Sequence, residues 1–316
     1  MKTNKIHSNI FFVSAVAVFC TLLWGTAFPC IKIGYGLFHI GSGDIPSTLI
    51  FAGLRFALAG VIVLFIGMFI SPENMILKKK DVLPVSALGF FQTFLQYLLL
   101  YIGIVSVSGT KTSILNSVTA FASVLLSSLF FKNDKLNYKK IAGCVVGITG
   151  IIVMNIGTEL GEFTLAGDGL IILSNLSGAS GNIISKKISS DRHPVQVSGW
   201  QLFMGGSTLI LVGIMSGGRL IFYDMNCVWI LLYLSAMAGV ALMLWTMLLF
   251  HNDVSRIAVF NLLIPVFGTM WSGLFLGENI FTTENIVSLL LVCSGIFLVN
   301  FNLYKKGCVN DDGSNK

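Results

Sequence analysis

Charged side chains are scarce in this sequence. Asp, Glu, Lys and Arg together make up 11% of its 316 residues, whereas hydrophobic residues make up 55%. A soluble globular domain usually carries about 25% charged residues. The composition therefore excludes an ordinary soluble domain and predicts an integral membrane protein, with the lipid bilayer as its surroundings.

Several functional motifs are also missing. The sequence has no GxxxxGK[ST] phosphate-binding loop, so we predict that the chain does not hydrolyse ATP. Its six cysteines have neither metal-binding nor disulfide spacing, and we interpret them as packing residues, with no metal site and no cofactor. The net charge of +6 is divided among separate short loops, which argues against a nucleic-acid partner.

Ten segments are long and apolar enough to cross a bilayer as helices, which predicts an all-α membrane fold. The first follows Lys2 and Lys5, as the core of a signal peptide would. Its length and the lack of a small-residue cleavage site instead predict an uncleaved helix. The ten segments are residues 11–33, 48–70, 82–105, 110–131, 140–158, 168–186, 195–217, 226–250, 256–277 and 285–304.

The basic residues predict how these segments are oriented. With the N-terminus in the cytoplasm, sixteen Lys and Arg residues fall on the cytoplasmic side, and only Lys111 and Arg219 fall in the opposite loops. Positive residues are retained on the cytoplasmic side of membrane proteins. We therefore predict a multi-pass protein of the cell membrane with both termini in the cytoplasm.

Two stretches of forty residues, Asn116–Asn155 and Asn261–Asn300, repeat one pattern. They agree at eight of forty aligned positions, and each is an apolar run, a short polar break and a second apolar run. The break is basic in the first copy and acidic in the second, where it contains Glu278. Opposite charge in the same loop indicates that the two copies lie upside down relative to each other.

Five helices per half give the same result, because an odd number of crossings makes the second half enter from the opposite face. We predict two inverted five-helix repeats, at residues 11–158 and 166–304. Repeats of this kind are typical of secondary transporters, whose substrate site lies near the midplane between the halves.

Three motifs, in this order along the chain, resemble the drug/metabolite transporter superfamily, in particular its members with two EamA domains. The first segment contains Trp24–Pro29 (WGTAFP) followed by Lys32, the second contains Leu54–Phe56 (LRF), and the ninth ends in Leu274–Glu278 (LFLGE). In the first half the sequence departs from the family, since it reads Phe131–Asn133 (FKN) where the family often has Leu-Gly-Glu.

The resemblance implies a secondary transporter, not an enzyme, that exports a small organic metabolite such as an amino acid or a related amphipathic compound. No Asp or Glu lies in the middle of any apolar segment, and a buried acid is the usual device for proton coupling. This favours a facilitator or an exchanger, or coupling through Glu278 at a segment end.

The sequence leaves two alternatives to transport open. A non-transporting membrane scaffold or receptor is one. The other is an intramembrane serine protease, because Gly178–Gly181 (GASG) resembles a rhomboid-type nucleophile motif. A nucleophilic Ser180 would need a histidine within hydrogen-bond reach, and all four histidines lie in loops or at segment ends.

Charged and helix-breaking residues are the first candidates for the substrate pathway. Pro29, together with Trp24, predicts a kink in the first segment that either serves rocking motions or only packs. Arg55 is costly inside a membrane unless it binds an anionic substrate group, pairs with a carboxylate such as Glu278, or snorkels to the headgroups. Lys32 lies nearer the surface, where snorkelling is favoured.

Uncharged polar and aromatic residues complete the candidates. Gln92 and Gln96 lie one turn apart, with Tyr97 on an adjacent stripe, and predict either a polar cavity or hydrogen bonds between helices. Asn175 and Asn182 share a face of a segment too polar to face lipid. The remaining candidates are the repeat-equivalent pair Asn116 and Asn261, and Trp245 and Trp271, which could stack on a substrate.

Overall fold

The computed structural model describes residues 9–107, 112, 115–154, 162–276 and 283–311, and all of their regular structure is helical. Ten helices follow one another within these residues. They are α1 Ile10–Leu37, α2 Ile45–Ile70, α3 Lys79–Gly103, α4 Val118–Phe130, α5 Tyr138–Met154, α6 165–187, α7 Pro194–Met215, α8 Met225–His251, α9 254–276 and α10 Thr283–Asp311.

Three of these helices are not regular throughout. A π-helical turn, Phe90–Leu95, interrupts α3, and a second, Leu165–Gly169, begins α6. In α9 a 3₁₀ turn, Val259–Leu262, separates two α-helical parts. Such interruptions change which side chains face a neighbouring helix, and π turns often occur at functional sites.

Within the described residues, six helices are long and apolar enough to cross a membrane, and α4 and part of α9 form shorter apolar helices. The all-α membrane fold predicted from the sequence is confirmed. Side-chain caps begin several of the helices. Asn9 accepts a hydrogen bond from the backbone nitrogen of Phe11 at 2.9 Å, and Asp44 accepts one from that of Ser47 at 3.1 Å.

The fourth predicted segment, from residue 110, is described only in part. Thr112, Leu115 and Asn116 are helical, α4 begins at Val118, and residues 108–111, 113 and 114 lie outside the described part. The tenth was expected to end at residue 304 but continues to Asp311, because an apolar window does not detect polar residues that extend a helix beyond the bilayer. Glu278 and residues 155–161 also lie outside the described part.

Glycines bring α2 and α7 into close antiparallel contact. A Cβ added to Gly53 would lie 2.7 Å from the carbonyl oxygen of Gly206, and one added to Gly60 would lie 2.6 Å from that of Gly199. Contact residues rise along α2 as they fall along α7, so the two helices run in opposite directions. The helix α2 holds the same place in the first half as α7 holds in the second.

The helices α5 and α10, which also hold the same place in the two halves, pack in the same way. A Cβ on Gly143 would lie 2.6 Å from the carbonyl oxygen of Gly295, and one on Gly150 would lie 2.9 Å from that of Ser288. The spacing of the aligned repeats makes Gly143 equivalent to Ser288 and Gly150 equivalent to Gly295. Exchanging the two halves therefore turns the contact of Gly143 with Gly295 into the contact of Gly150 with Ser288.

The remaining pairings follow the same exchange. Helix α1 packs on α8 and α9, just as α6 packs on α3 and α4, and α2 packs on α8 as α7 packs on α3. Equivalent helices occupy equivalent places, and α2 with α7 and α5 with α10 pack antiparallel. The described helices thus form two inverted five-helix halves.

Candidate substrate pathway

A cluster of buried polar side chains lies where the two halves meet, around Asn182 on α6. The Asn182 side-chain oxygen accepts hydrogen bonds from Gln92 Nε2 at 3.1 Å and from Trp245 Nε1 at 3.3 Å. Its side-chain nitrogen donates to Ser123 Oγ at 3.2 Å. Gln92 and Ser123 belong to the first half, and Asn182 and Trp245 to the second. We call these four residues the central cluster.

Small residues on α6 allow α3 to approach the central cluster. A Cβ on Gly181 would lie 2.6 Å from Gln92 Cβ, and one on Gly178 would lie 2.7 Å from Gln96 Oε1. Both glutamines that the sequence analysis selected therefore lie against α6. Gln92 lies in the π-helical turn of α3. Sequence spacing gave no sign of this turn.

This packing also explains the residues that resemble a protease motif. Gly178 and Gly181 are the contact points for α3, and the Ser180 hydroxyl between them donates to the carbonyl oxygen of Leu176 in its own helix, at 2.8 Å. His193 and His251 lie at helix ends, beyond hydrogen-bond reach of a serine in the middle of α6. The described helices therefore do not form the serine and histidine pair that acyl transfer requires.

Asn175 extends the polar contacts along α6 towards α4. Its side-chain oxygen accepts a hydrogen bond from Thr119 Oγ1 at 2.6 Å, and its nitrogen donates to the carbonyl oxygen of Leu115 at 3.0 Å. Asn175 and Asn182 thus both contact the first half, as their shared face implied.

Sequence reasoning missed Thr119 and Ser123, and also the buried pair Thr93 and Gln201, whose side chains bond at 3.3 Å. Most hydroxyl side chains in apolar helices bond within their own helix, as Ser127 does, so no local signal marks the exceptions.

Trp24 borders the central cluster through its contact with Trp245. The Trp24 ring meets the Trp245 ring edge-on, with 5.0 Å between their centroids. Trp271 on α9 donates a hydrogen bond to the carbonyl oxygen of Leu22 on α1, at 3.3 Å. The contacts of these three tryptophans therefore link α1 to α8 and to α9.

Arg55 on α2 lies apart from the central cluster, in a second buried group. Its side chain is only 3% exposed, and its Cζ lies 4.4 Å from the centroid of the Phe56 ring and 6.0 Å from that of Tyr97. Tyr97 also packs on Phe56, with 4.4 Å between ring centroids, and Tyr101 follows Tyr97 along α3 at 6.1 Å. The helix begins at Ile45, so Arg55 lies about 15 Å along it.

The other candidates occupy less central places. Lys32 is exposed on the outside of α1, where its stem can reach the headgroups, and Pro29 is buried within α1. Asn116 and Asn261 are both half-buried, and Asn261 lies in the 3₁₀ turn of α9. Glu278 lies outside the described residues, so its pairing with Arg55 stays a prediction.

The sequence as a whole matches the EamA-like transporter family over residues 11–156 and 165–301. This chain belongs to the EamA-like transporter family. As an EamA protein it is a membrane transporter of small molecules and not an enzyme.

Curated relatives agree with this membership. The chain is 27% identical over 292 residues to the "Uncharacterized transporter YoaV" of Bacillus subtilis, covering 90% of this chain and 96% of that one. It is 26% identical to the "Probable amino-acid metabolite efflux pump" of Salmonella typhimurium, with 90% and 93% covered, and 26% to the Escherichia coli protein of the same name, with 91% and 94% covered.

A solved structure, titled only "Crystal structure of protein", superposes with a TM-score of 0.77 at 14% identity and covers 93% of this chain and 98% of that one. At this identity the likeness concerns the fold alone.

At the end of the EamA protein where most of its basic residues lie, Asp134 joins the two halves. This aspartate, in the loop between α4 and α5, accepts hydrogen bonds from the Ser255 backbone nitrogen at 3.0 Å and from the Ser255 hydroxyl, at the start of α9. It also pairs with Lys140. The first-half loop has Asn133 where the second has Glu278, but one residue further on it supplies a buried acid.

The electrostatic environment of Asp134 favours its charged form. Burial by itself raises the pKa of the Asp134 carboxyl, but hydrogen bonds from Lys140 and from the Ser255 hydroxyl and backbone, with the Lys140 charge, outweigh burial and lower this pKa below its usual value. A cavity of about 280 Å³ lies beside Asp134, with Lys132, Lys186 and Asp253 among its lining residues.

A second ion pair closes the same end of the molecule. Arg192, in the loop between α6 and α7, lies 2.8 Å from Asp81 at the start of α3. Nearby, Trp200 donates a hydrogen bond to the carbonyl oxygen of Met75 at 2.9 Å, and Gln196 donates one to that of Ile76 at 2.7 Å. Each of these contacts joins a first-half residue to a second-half residue.

Proposed function

We propose that this EamA protein exports a small organic metabolite, such as an amino acid or a related amphipathic compound, from the cytoplasm by alternating access without hydrolysing ATP. The observation that carries the proposal is the central cluster. Its hydrogen bonds are buried and pass between the inverted halves, which is where transporters of this architecture bind their substrates.

The chemistry of the central cluster suits an amphipathic compound. Amide and hydroxyl groups of Gln92, Asn182 and Ser123 can exchange their mutual hydrogen bonds for bonds to a substrate, so that little is lost on binding. The rings of Trp24 and Trp245 offer an apolar or cation-binding wall beside them. Two relatives named as probable amino-acid metabolite efflux pumps support this substrate class and the direction of transport.

Contacts at the basic end would form the cytoplasmic gate of this transport cycle. This end, which the distribution of Lys and Arg assigns to the cytoplasm, is held together by the Asp134 contacts to Ser255 and by the ion pair of Asp81 with Arg192. During export these contacts would break to admit the substrate from the cytoplasm and re-form behind it. Movement of one half against the other is the usual form of alternating access in inverted-repeat transporters.

A counterflow experiment tests the proposal. Purified protein in liposomes preloaded with unlabelled amino acids should take up the same amino acids in radiolabelled form without ATP. We expect Gln92→Leu and Asn182→Leu to abolish the uptake, and Gln96→Ala to impair it, while each variant remains folded. Ser180→Ala is the matched control on α6, because its hydroxyl bonds only within its own helix.

Two results would contradict the proposal in different ways. Normal uptake by Gln92→Leu, Asn182→Leu and Gln96→Ala would show that the substrate site is assigned wrongly, although the protein is a transporter. If none of a panel of amphipathic metabolites showed ATP-independent counterflow, the proposed transport function itself would be wrong.

A further inference from the structure

No anionic partner of Arg55 lies among the described residues. Among the described residues its guanidinium group takes part in no ion pair and no hydrogen bond, and its Nε atom is buried without a partner. A charged side chain inside a membrane protein costs several kcal/mol unless it is paired or reaches water. With 3% of its side chain exposed, Arg55 does not snorkel to the headgroups. Its position therefore needs another explanation.

The surroundings of Arg55 are aromatic and contain a second polar group without a bond. The rings of Phe56 and Tyr97 lie against the guanidinium. The hydroxyl of Tyr35 on α1 is buried near Arg55, with the hydroxyls of Tyr101 and Thr48 beside it, and it makes no hydrogen bond of normal geometry within the described part of the chain. Two donors, one of them cationic, thus lie near each other, and the described residues place hydroxyl groups but no carboxylate beside them.

The helix α3 connects this enclosure with the central cluster. Tyr97 follows Gln92 by five residues, a rise of roughly 7–8 Å along a helix, and Gln96 lies between them with a half-buried amide. A small organic molecule is long enough to place one end at Arg55 and the other at the central cluster. Both ends would then contact residues of α3.

We propose that Arg55 binds the carboxylate of the transported compound, assisted by the Tyr35 hydroxyl, so that the substrate is an organic anion or a zwitterion. A carboxylate accepts two parallel hydrogen bonds from one guanidinium group, and a phenol can donate a third. The inference rests on the proposed transport function and narrows its substrate to carboxylate compounds. Phe56 and Tyr97 hold the guanidinium in place by cation–π contact.

Four related compounds test this inference by thermal stabilisation of the detergent-purified protein. L-Phenylalanine and 3-phenylpropionate carry a carboxylate, whereas phenylalaninamide and phenethylamine have the same ring without one. We expect the wild type to be stabilised by one or both carboxylates and by neither of the other two. A preference for L-phenylalanine identifies a zwitterionic substrate, and a preference for 3-phenylpropionate identifies a simple acid.

Variants of Arg55 locate the effect. Arg55→Gln should weaken the apparent affinity for the carboxylate at least tenfold, and Arg55→Lys, which keeps the charge but loses the planar fork, should have an intermediate effect. Tyr35→Phe should weaken binding less than Arg55→Gln. The matched control is Arg219→Gln, which removes the same charge from an exposed side chain in the loop between α7 and α8 and should bind normally.

Three results would overturn the carboxylate site. Equal stabilisation by phenylalaninamide is one, and unchanged affinity in Arg55→Gln is another. The third is equal loss of stability without ligand in Arg55→Gln and Glu278→Gln, with no further loss in the double variant, because that pattern assigns Arg55 to a structural ion pair. If counterflow of uncharged or cationic compounds continues in these cases, the transport function stands and only the carboxylate site fails.

Discussion

Gly206 on α7 lies so close to Ala57 on α2 that a Cβ on Gly206 would sit 2.4 Å from the Ala57 backbone nitrogen. No real Cβ tolerates that distance from a backbone atom. The contact belongs to the antiparallel seam between α2 and α7, which are equivalent helices of the two halves. Close helix approach through small residues replaces the hydrophobic effect as a source of stability inside a membrane.

Gly206→Val should therefore destabilise the protein severely. The added side chain meets backbone atoms, which cannot rotate away, and overpacking of this kind costs about 1–3 kcal/mol or more. Thermal unfolding in detergent would measure the effect. The control is Gly36→Val, since a Cβ on Gly36 meets no atom within 4 Å, and that variant should unfold at or above the wild-type temperature. Equal stability of the two variants would refute the close seam.

Asn182→Ala should uncouple the central cluster. The change leaves the Gln92 amide and the Trp245 indole buried without their shared acceptor, at a cost of about 1–3 kcal/mol. A double-mutant cycle with Gln92→Ala should show strong non-additivity in thermal stability, because both changes remove the same bond. Additive losses would mean that the two side chains act independently. Trp245→Phe, which keeps a ring but loses the donor, should have a smaller effect.

Asp134→Asn should weaken the basic end in a pH-dependent way. The folded pKa of Asp134 is lowered, so the charged carboxylate contributes stability above its unfolded pKa of about 3.9, and this contribution is lost as the pH falls through the folded pKa. The difference in thermal midpoint between wild type and Asp134→Asn should be full at pH 7 and shrink below pH about 4.

Asp253→Asn is the comparison for that measurement. The pair of Asp253 and Arg256 is partly exposed and lies within one helical turn, so its removal should cost no more than about 1 kcal/mol. A difference between wild type and Asp134→Asn that stays constant down to pH 3 would show that the Asp134 charge is unimportant.

Cysteine labelling in intact cells should reveal the orientation. Arg219→Cys places a thiol in the loop between α7 and α8, and Lys132→Cys places one at the opposite, basic end. We expect a membrane-impermeant maleimide to label Arg219→Cys directly and Lys132→Cys only after permeabilisation, because basic residues stay in the cytoplasm. Cys20, Cys30, Cys144 and Cys227 are buried but Cys293 is exposed, so both variants are made with Cys293 and Cys308 replaced by serine, and that parent protein gives the background. The reverse pattern would invert the proposed topology and with it the direction of export.

The sequence by itself determined the class of this protein, its ten helices and the inversion of its halves. Hydropathy over twenty residues and an odd helix count are properties of the chain read in one dimension, so they need no knowledge of contacts. The composition of α6 likewise shows that it is central, because lipid does not tolerate Asn175 and Asn182. Family membership followed from short motifs in a fixed order.

Only the tertiary structure decided which polar groups meet. Gln92 and Asn182 are separated by 90 residues, and Asp134 and Ser255 by 121, so their pairing depends on how whole helices pack and rotate. The π-helical turn at Gln92 and the glycines that admit α3 to α6 set that rotation. The charge of Arg55 is visible in the sequence, but only the packing of the helices decides that no carboxylate of the described residues lies beside it.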